Sequence, residues 1–229
     1  MTGTIALSEF WRVGRKAAPL DVDVRYQGAG RFDDPERLVP MLYGAPSLRT
    51  CLLEFLLPWS RSSQARTIVQ SIPTPTTEEE ADDAAHDRQI AEETWRIPPS
   101  LYERVAILVE VEPTTELLDL REVRVRNQFR NLELIMRELR SAGFSQLDRG
   151  ALLSPHRHLT QAVTGAILRG QLSSDTIGGL LAESRHAGDI VVIFSGEPYK
   201  PHLRVAERVQ LTKHNVDVIS VAKELELAS

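Results

Sequence analysis

The sequence contains a single cysteine, Cys51, among 229 residues. One cysteine excludes an internal disulfide framework and every zinc or iron–sulfur site built from several cysteines, and it fits a reducing compartment. No run approaches the ~20 apolar residues that a membrane span needs. The start, MTGTIALSEFWRV, has no basic region followed by an apolar run, so it does not resemble a signal peptide. We therefore expect a cytoplasmic protein with no membrane contact.

The chain also lacks an excess of positive charge. It has 27 Lys and Arg against 32 Asp and Glu, which gives a formal net charge of −5. A chain with a net negative charge does not attract a phosphate backbone through its overall electrostatic potential, so direct nucleic-acid binding is not expected. Thirteen glycines and thirteen prolines are too few for a low-complexity chain, and 42% hydrophobic residues suffice for a core. We expect a single domain over residues 1–229.

Short apolar segments alternate with helical patterns along the chain. The residue types predict strands at 10–13, 41–44, 104–112, 117–120, 177–181 and 189–194, and helices at 47–57, 121–140 and 158–168. Pro46 is expected at the first helical position, and Gly28-Ala29-Gly30 predicts a turn. Strands in short unequal pairs with helices between them favour an α+β fold with a mixed or antiparallel sheet.

Residues from about 60 to 103 differ in composition from the rest. The string SIPTPTT leads into EEEADDAAHDRQIAEETW, which is acidic and helix-prone. Acidic side chains are not buried without partners, so the stretch from Thr74 to Trp95 is expected to pack outside the core. The segment predicts a solvated helical insertion.

Glu54 is the first candidate for chemistry, since its segment SLRTCLLEFLL is apolar almost all round and predicts a buried helix. A carboxylate there is costly unless it is partnered. Ser47, Thr50 and Cys51 precede it on the same helical face and are small, so this face suits the wall of a cleft. A surface glutamate at the edge of a core helix is an equal alternative. Arg31 and Tyr43, at the edges of neighbouring short elements, are candidates for the same cleft.

Other clusters give weaker signals. His156 and His158 have no third ligand in their motif, so no metal site is expected. Ser154 with His156 and Ser184 with His186 lack the G-x-S-x-G elbow of a serine hydrolase. Gly28 and Gly30 lack the third glycine and the strand–helix context of a dinucleotide fold. Cys51 is interpreted as a small core residue.

Five strings in order carry a resemblance to a known family. They are FWRV at 10–13, GAGRFDDP at 28–35, MLYGAPSLRTCLLE at 41–54, RHLTQAV at 157–163 and GGLLAESRHAGDIVVIF at 178–194. In this set and order they resemble the RES-domain family of bacterial proteins. The resemblance implies a fold like that of ADP-ribosyltransferases, with mixed and antiparallel sheets, flanking helices and helical insertions.

The resemblance also implies an activity. Members of the family degrade NAD by phosphorolysis or hydrolysis, often as the toxin beside an Xre-type antitoxin protein. Carried over by motif, Arg31, Tyr43 and Glu54 correspond to the active-site residues. Further pocket residues are then Arg12, His158, Thr160, Gln161, Ser184 and Arg185. The implied partners are NAD as substrate, phosphate or water as acceptor, and an antitoxin, with no separate cofactor or metal; a homodimer is left open.

This chemistry suits one carboxylate and several arginines. In NAD the nicotinamide ring is a pyridinium cation, and it departs as a neutral molecule. No acid has to protonate the leaving group, so a single carboxylate beside the ribose can suffice. Arginines are suited to the diphosphate, and Tyr43 to stacking on the nicotinamide or ribose. Two alternatives stay open. One is a mono-ADP-ribosyltransferase acting on a protein, which Leu52, two positions before Glu54, mildly disfavours; the other is a non-catalytic binding module.

Overall fold

A computed structural model describes residues 3–22, 27–60, 96–111, 115–172, 177–185, 188–196 and 201–227. The strands are β1 (Thr4–Ala6), β2 (Glu9–Arg15), β3 (Met41–Gly44), β4 (Arg104–Val111), β5 (Glu116–Asp119), β6 (Ile177–Glu183), β7 (Asp189–Phe194) and β8 (Leu203–Gln210). The α-helices are α1 (Leu48–Leu56), α2 (Pro99–Tyr102), α3 (Val123–Gln128), α4 (Glu133–Ser141), α5 (Arg149–Leu153), α6 (Arg157–Leu168) and α7 (Val216–Glu224), and a 3₁₀ turn (Leu57–Trp59) follows α1.

The strands form two sheets. One has the order β1-β5-β6-β7-β3, in which only the β5–β6 pair is parallel, and the other is the antiparallel set β2-β4-β8. A two-residue bridge between Trp11 and Ala45 joins β2 to the end of β3. The predicted α+β fold with mixed and antiparallel sheets and flanking helices is confirmed.

Alternation along the strands builds the layers. In β7, Val191 and Ile193 face the second sheet, whereas Ile190, Val192 and Phe194 face the helices α3 to α6. In β4, Val105 and Ile107 belong to the core between the sheets. Ala106 faces the opposite way and packs with α1 and α7. The order of layers is therefore helices, five-stranded sheet, three-stranded sheet, helices.

The start of α1 differs from the prediction. Pro46 is not the first helical residue; Ser47 is the N-cap, and its hydroxyl accepts a hydrogen bond from the Thr50 N–H at 3.1 Å. A serine side chain satisfies a free N–H of the first turn, so the helix begins after it. Pro58 lies just past the end of α1, as predicted. The capped helix fixes where Glu54 lies.

The arginine-rich segment 121–140 is two helices rather than one. The chain leaves α3 at Phe129, and Leu132 is extended with φ −82° and ψ 116° before α4 begins. Phe129, Ile135 and Leu139 are all fully buried in one core. The change of direction lets both short helices place these side chains under the same sheet.

Several predicted elements agree with the structure and others lie outside it. The strands 41–44 and 189–194 have the predicted bounds. Most of the predicted insertion, including Thr74 to Trp95, lies outside the described residues, which hold only α2 and its flanks from that range. Strands β1 and β8 and helices α5 and α7 were not predicted. None of the helices in the described ranges combines the length and apolar character required to cross a membrane.

An ion cluster fixes the end of β5 against the start of β7. Arg121 donates to the Asp119 carboxylate through two nitrogens, at 2.9 and 2.7 Å, and to Asp189 at 2.5 Å. Burial raises the pKa of Asp119, but the hydrogen bonds and charge of Arg121 outweigh it, so the pKa lies below its ordinary value. The carboxylate form of Asp119 therefore stabilises the fold.

Asp119→Asn is expected to lower the free energy of unfolding at pH 7 by about 1 kcal/mol, the size of one hydrogen-bonded partly exposed ion pair. Because the folded pKa of Asp119 is depressed, its contribution is present above the unfolded value of ~3.9 and is lost as the pH falls through the folded value. Urea unfolding at pH 7 and at pH 3 measures this. Glu138→Gln, at the exposed pair with Arg137, is the control; an equal loss at both pH values would contradict the linkage.

Candidate active site

The turn before Arg31 is organised by one buried aspartate. The Asp33 carboxylate accepts hydrogen bonds from the Gly28 and Gly30 N–H groups, both at 2.8 Å. Gly28 has φ +84°, a conformation that favours glycine. A Cβ on Gly30 would lie 2.4 Å from the Tyr43 hydroxyl and 2.6 Å from Asp33 Oδ1. The turn thus needs glycine at both positions to bring its backbone against Tyr43.

Helix α6 holds the same turn from the other side. The Gln161 amide donates to the carbonyls of Gly28 and Gly30, at 3.0 and 2.9 Å. The Thr160 hydroxyl donates to the Arg31 carbonyl, and Thr164 donates to the Phe32 carbonyl at 3.1 Å. Thr160 and Gln161 are therefore placed as positioning residues for the turn.

Arg31 extends from this turn into a half-buried position. Its Nη2 donates to the Leu152 carbonyl, while its buried Nε has no hydrogen-bond acceptor among the described residues. Burial and then the neighbouring Arg185 lower the pKa of Arg31 to about 10, although Glu54 and Tyr43 act in the opposite direction. A guanidinium that keeps its charge but has a spare donor is suited to an anionic ligand.

Tyr43 lies at the centre of a short hydrogen-bond chain. Its hydroxyl donates to Asp33 at 2.7 Å and accepts from the Phe32 N–H at 3.0 Å. Burial, followed by the charge and hydrogen bond of Asp33, raises the pKa of Tyr43 well above its ordinary value. The phenol is therefore held neutral and in a fixed orientation.

Glu54 lies on α1, half-buried, and not on the exposed surface. It accepts a hydrogen bond from the Ser184 hydroxyl, at the start of the β6–β7 connection. This contact joins the helix to the five-stranded sheet and fixes the carboxylate. Of the two interpretations of Glu54, the partnered carboxylate matches the structure.

Arg31, Tyr43 and Glu54 line one cavity of about 340 Å³. Its wall also includes apolar and small residues, namely Val13, Gly44, Ala45, Cys51, Phe55 and Ile190. An apolar wall with a few convergent polar groups is the usual form of a small-molecule site. The structure brings the three residues together, while their catalytic roles stay predictions.

Arg12, Arg185 and His158, also predicted as pocket residues, are not among the residues that line this cavity. Arg12 lines a neighbouring cavity, and its guanidinium donates to the carbonyls of Tyr43 and Pro19, both at 2.9 Å. Arg185 donates to the Ser154 carbonyl. His158 is exposed in the first turn of α6. Arg12 therefore contacts the backbone of Tyr43 and lines a different cavity from Glu54.

The other chemistry considered from the sequence finds no support in the geometry. Burial raises the pKa of the Cys51 thiol to about 12, outweighing the nearby Arg12, so Cys51 is a core residue. The Ser154 hydroxyl donates to the Ala151 carbonyl at 2.7 Å rather than to a histidine. His186 lies outside the described residues. Among the residues that are described, no group of three or more His, Cys, Asp or Glu could hold a metal ion.

Asp33 is the functional residue that sequence reasoning missed. It is buried, contacts both the turn and Tyr43, and stands in the quoted string GAGRFDDP. The sequence signal was weak, since an aspartate in a turn usually accepts from N–H groups that follow it, whereas Asp33 accepts from two that precede it. Two adjacent aspartates obscured it: Asp34 accepts instead from the N–H groups of Leu38 and Val39, at 2.7 and 2.9 Å.

Asp33→Asn is expected to lower kcat/KM for NAD, the substrate that the sequence resemblance implies, by about tenfold, because the Tyr43 hydroxyl loses the group that holds it. The amide oxygen can still accept from Gly28 and Gly30, but the amide NH₂ then faces the Tyr43 hydroxyl, which already accepts from Phe32. The phenol proton loses its acceptor. Steady-state kinetics tests this, with Asp34→Asn as the matched control. Equal losses in the two variants would mean that Asp33 only stabilises a turn.

Two comparisons with known proteins bear on this site. Residues 9–106 match the model of the RES domain family. A chain in the crystal structure of the M. tuberculosis MbcT–MbcA toxin–antitoxin complex is similar in fold, with a TM-score of 0.52 and 19% identity over 97% of this chain and 91% of that one. No curated protein matches the sequence.

The matched range contains the turn before Arg31, strand β3 with Tyr43, and helix α1 with Glu54. Helix α6 and the β6–β7 connection, which hold these elements, lie beyond it and are covered by the fold similarity. The resemblance predicted from the sequence is confirmed over residues 9–106, which match the RES domain model.

Proposed function

We propose that the protein is an NAD-consuming enzyme that cleaves the nicotinamide–ribose bond, with phosphate or water as the acceptor. The observation that carries the proposal is the convergence of Arg31, Tyr43 and Glu54 on one cavity. Their types match the three needs of the reaction. These are a cation for the diphosphate, an aromatic group for the ring and a carboxylate for the developing positive charge.

In the proposed reaction, the bond between ribose C1′ and the nicotinamide nitrogen breaks, and its electron pair goes to nicotinamide, which leaves uncharged. The ribose becomes oxocarbenium-like, and an oxygen of phosphate or water then bonds to C1′; when water is the acceptor, it releases a proton to the solvent. Glu54 lies beside the developing cation, held by Ser184. A fixed carboxylate in a partly buried cavity stabilises this charge more than solvent does.

A small acceptor is favoured over a protein acceptor by the position of Leu52. An acceptor-orienting residue at that place would have to reach the cavity, but Leu52 is fully buried and packs with Leu56 and Val218 in the core between α1 and α7. It presents no polar group to a protein substrate. The proposal therefore assigns phosphate or water as acceptor rather than a side chain.

The biological role proposed is that of a toxin neutralised by an antitoxin protein. Support comes from the RES domain and from the fold similarity to a chain of a toxin–antitoxin complex. NAD is a substrate in this proposal, and no additional cofactor or metal is assigned. Action on NAD in the cytoplasm belongs to the same proposal.

The proposal is tested by incubating the purified protein with NAD, with and without phosphate, and identifying the products by mass spectrometry. Nicotinamide release with ADP-ribose 1″-phosphate indicates phosphorolysis, and nicotinamide with ADP-ribose indicates hydrolysis. A mass increase on the protein itself or on an added protein would instead indicate ADP-ribosyl transfer. Unchanged NAD in both arms would contradict the proposed function.

A further inference from the structure

Helix α5 lines neither cavity, yet the chain at its C-terminal end contacts two arginines of the candidate site. Arg31 Nη2 donates to the Leu152 carbonyl, and Arg185 Nη2 donates to the Ser154 carbonyl. The last carbonyls of a helix have no N–H donor within the helix, so they are available to side-chain donors. One short segment therefore holds two guanidinium groups that come from distant parts of the chain.

These two guanidinium groups repel each other. Burial lowers the pKa of Arg31, and the positive charge of Arg185 lowers it further. Within the described ranges, neither arginine forms an ion pair with a carboxylate. Two like charges stay close together only where other groups fix them, and here those groups are backbone carbonyls. Because a carbonyl moves with its helix, the orientation of both arginines depends on how firmly α5 is held.

The start of α5 is fixed by the side chain of Asp148. Asp148 is the N-cap, and its carboxylate accepts a hydrogen bond from the Ala151 N–H at 2.8 Å. A helix of five residues is too short to be stable through its own backbone hydrogen bonds, so its cap and its buried side chains determine whether it forms. Asp148 is half-buried and lines neither cavity, so its effect on a ligand there has to pass through α5.

The first residue of α5 makes a second polar contact at the start of the helix. Arg149 forms an ion pair with Glu183, the residue before Ser184. The Arg149 side chain is 71% exposed, so the pair contributes little to stability. It does place the start of α5 beside the end of β6, next to the serine that donates to Glu54. Asp148 is therefore the stronger of the two polar contacts at the start of α5.

We propose that Asp148 is a positioning residue of the candidate site and acts through α5 on Arg31 and Arg185. Resting on the proposed function, its role is to hold the two guanidinium groups in the orientation that binds NAD. Asp148 itself does not touch the substrate. Its loss should appear as weaker NAD binding with little change in kcat, because Glu54 keeps its contact with Ser184.

Asp148→Ala is expected to weaken NAD binding by about tenfold, since it removes the cap that fixes the acceptors of both arginines. Asp148→Asn should stay within about twofold of the wild type, because asparagine caps a helix as well as aspartate does. The conservative variant removes the charge, so it separates capping from electrostatic attraction. Calorimetric titration with NAD measures the affinities, and nicotinamide release at saturating NAD gives kcat.

Asn215→Ala is the matched control. Asn215 is the N-cap of α7, accepts from the N–H groups of Asp217 and Val218, both at 3.0 Å, and lines neither cavity. Both cap variants should lower the Tm, but only Asp148→Ala should weaken NAD binding. If Asp148→Ala does not fold, Asp148→Gly takes its place, because glycine at an N-cap costs less stability than alanine. Equal losses of affinity in the Asp148 variant and the control, or an unchanged affinity in both, would overturn the proposal.

A second measurement does not depend on NAD. In nitrogen-15 NMR spectra, an arginine guanidinium held by a carbonyl rotates slowly and gives separate Nη signals, which Arg31→Lys and Arg185→Lys assign. These signals should average in Asp148→Ala and stay separate in Asn215→Ala. Averaged signals in the wild type, or separate signals in Asp148→Ala, would overturn the positioning role. A wild type that neither binds nor cleaves NAD would contradict the proposed function, and the NMR signals would still test the effect of Asp148 on the two arginines.

Discussion

Glu54→Gln is expected to reduce NAD consumption at least ~100-fold, with only a modest change in NAD affinity. The substitution keeps the shape of the side chain and its capacity to accept from Ser184, and it removes the negative charge. If the carboxylate stabilises positive charge that develops only during bond cleavage, the loss falls on kcat. Nicotinamide release under saturating NAD measures kcat, and titration of the variant measures affinity.

The fold of this variant should be unaffected, because Glu54 is half-buried and its hydrogen bond to Ser184 is retained in kind. Thermal unfolding of the variant checks this. Glu110→Gln serves as the matched control, since Glu110 pairs with Arg204 on the exposed side of β4 and β8, away from the cavity. Near-normal kcat in Glu54→Gln would remove the catalytic assignment, whatever the control shows.

Ser184→Ala separates the contribution of the Glu54 charge from the contribution of its fixed position. Without the hydroxyl, the carboxylate keeps its charge and loses the contact that ties α1 to the β6–β7 connection. A smaller loss than in Glu54→Gln follows if charge matters more than position. The two variants together therefore indicate how much of the effect depends on preorganisation.

Local patterns in the sequence were sufficient for much of the fold. The strands around Tyr43 and at residues 189–194 were predicted with their observed bounds, because both are short, apolar runs bounded by turn residues. Strand β8 was missed for the opposite reason. It lies at the edge of its sheet, so charged residues such as Arg204 and Glu207 interrupt the apolar alternation.

The site was predictable in its residue types and not in its supporting contacts. Glu54 was indicated by a carboxylate in an apolar helix, and Arg31 by its place after a glycine turn. The partners that hold them, Ser184 and Gln161, are about 130 positions away in the chain, and no local pattern specifies such pairing. Arg12 was grouped with the site by motif; it lines the neighbouring cavity, and its guanidinium donates to the Tyr43 carbonyl.

Arg31→Lys is expected to weaken NAD binding by about tenfold or more, the value of a charge-assisted hydrogen bond that a lysine cannot replace. Arg31 uses one nitrogen to hold the Leu152 carbonyl, and its buried Nε still has a hydrogen to donate. A lysine keeps the charge, but it lacks a rigid fork that serves the loop and a ligand together. Titration with NAD measures the change.

The control is Arg169→Lys, at an ion pair with Glu36 on the surface. Arg169 lines neither cavity, so this variant shows how much an Arg→Lys change elsewhere on the protein alters NAD binding. Arg31→Lys keeps the positive charge and lacks the planar fork. If the charge alone binds NAD, the variant should bind NAD at low salt almost as well as the wild type; if the two-pronged geometry is needed, it should bind more weakly even there. An unchanged dissociation constant would mean that Arg31 holds only the Leu152 carbonyl and does not bind the diphosphate.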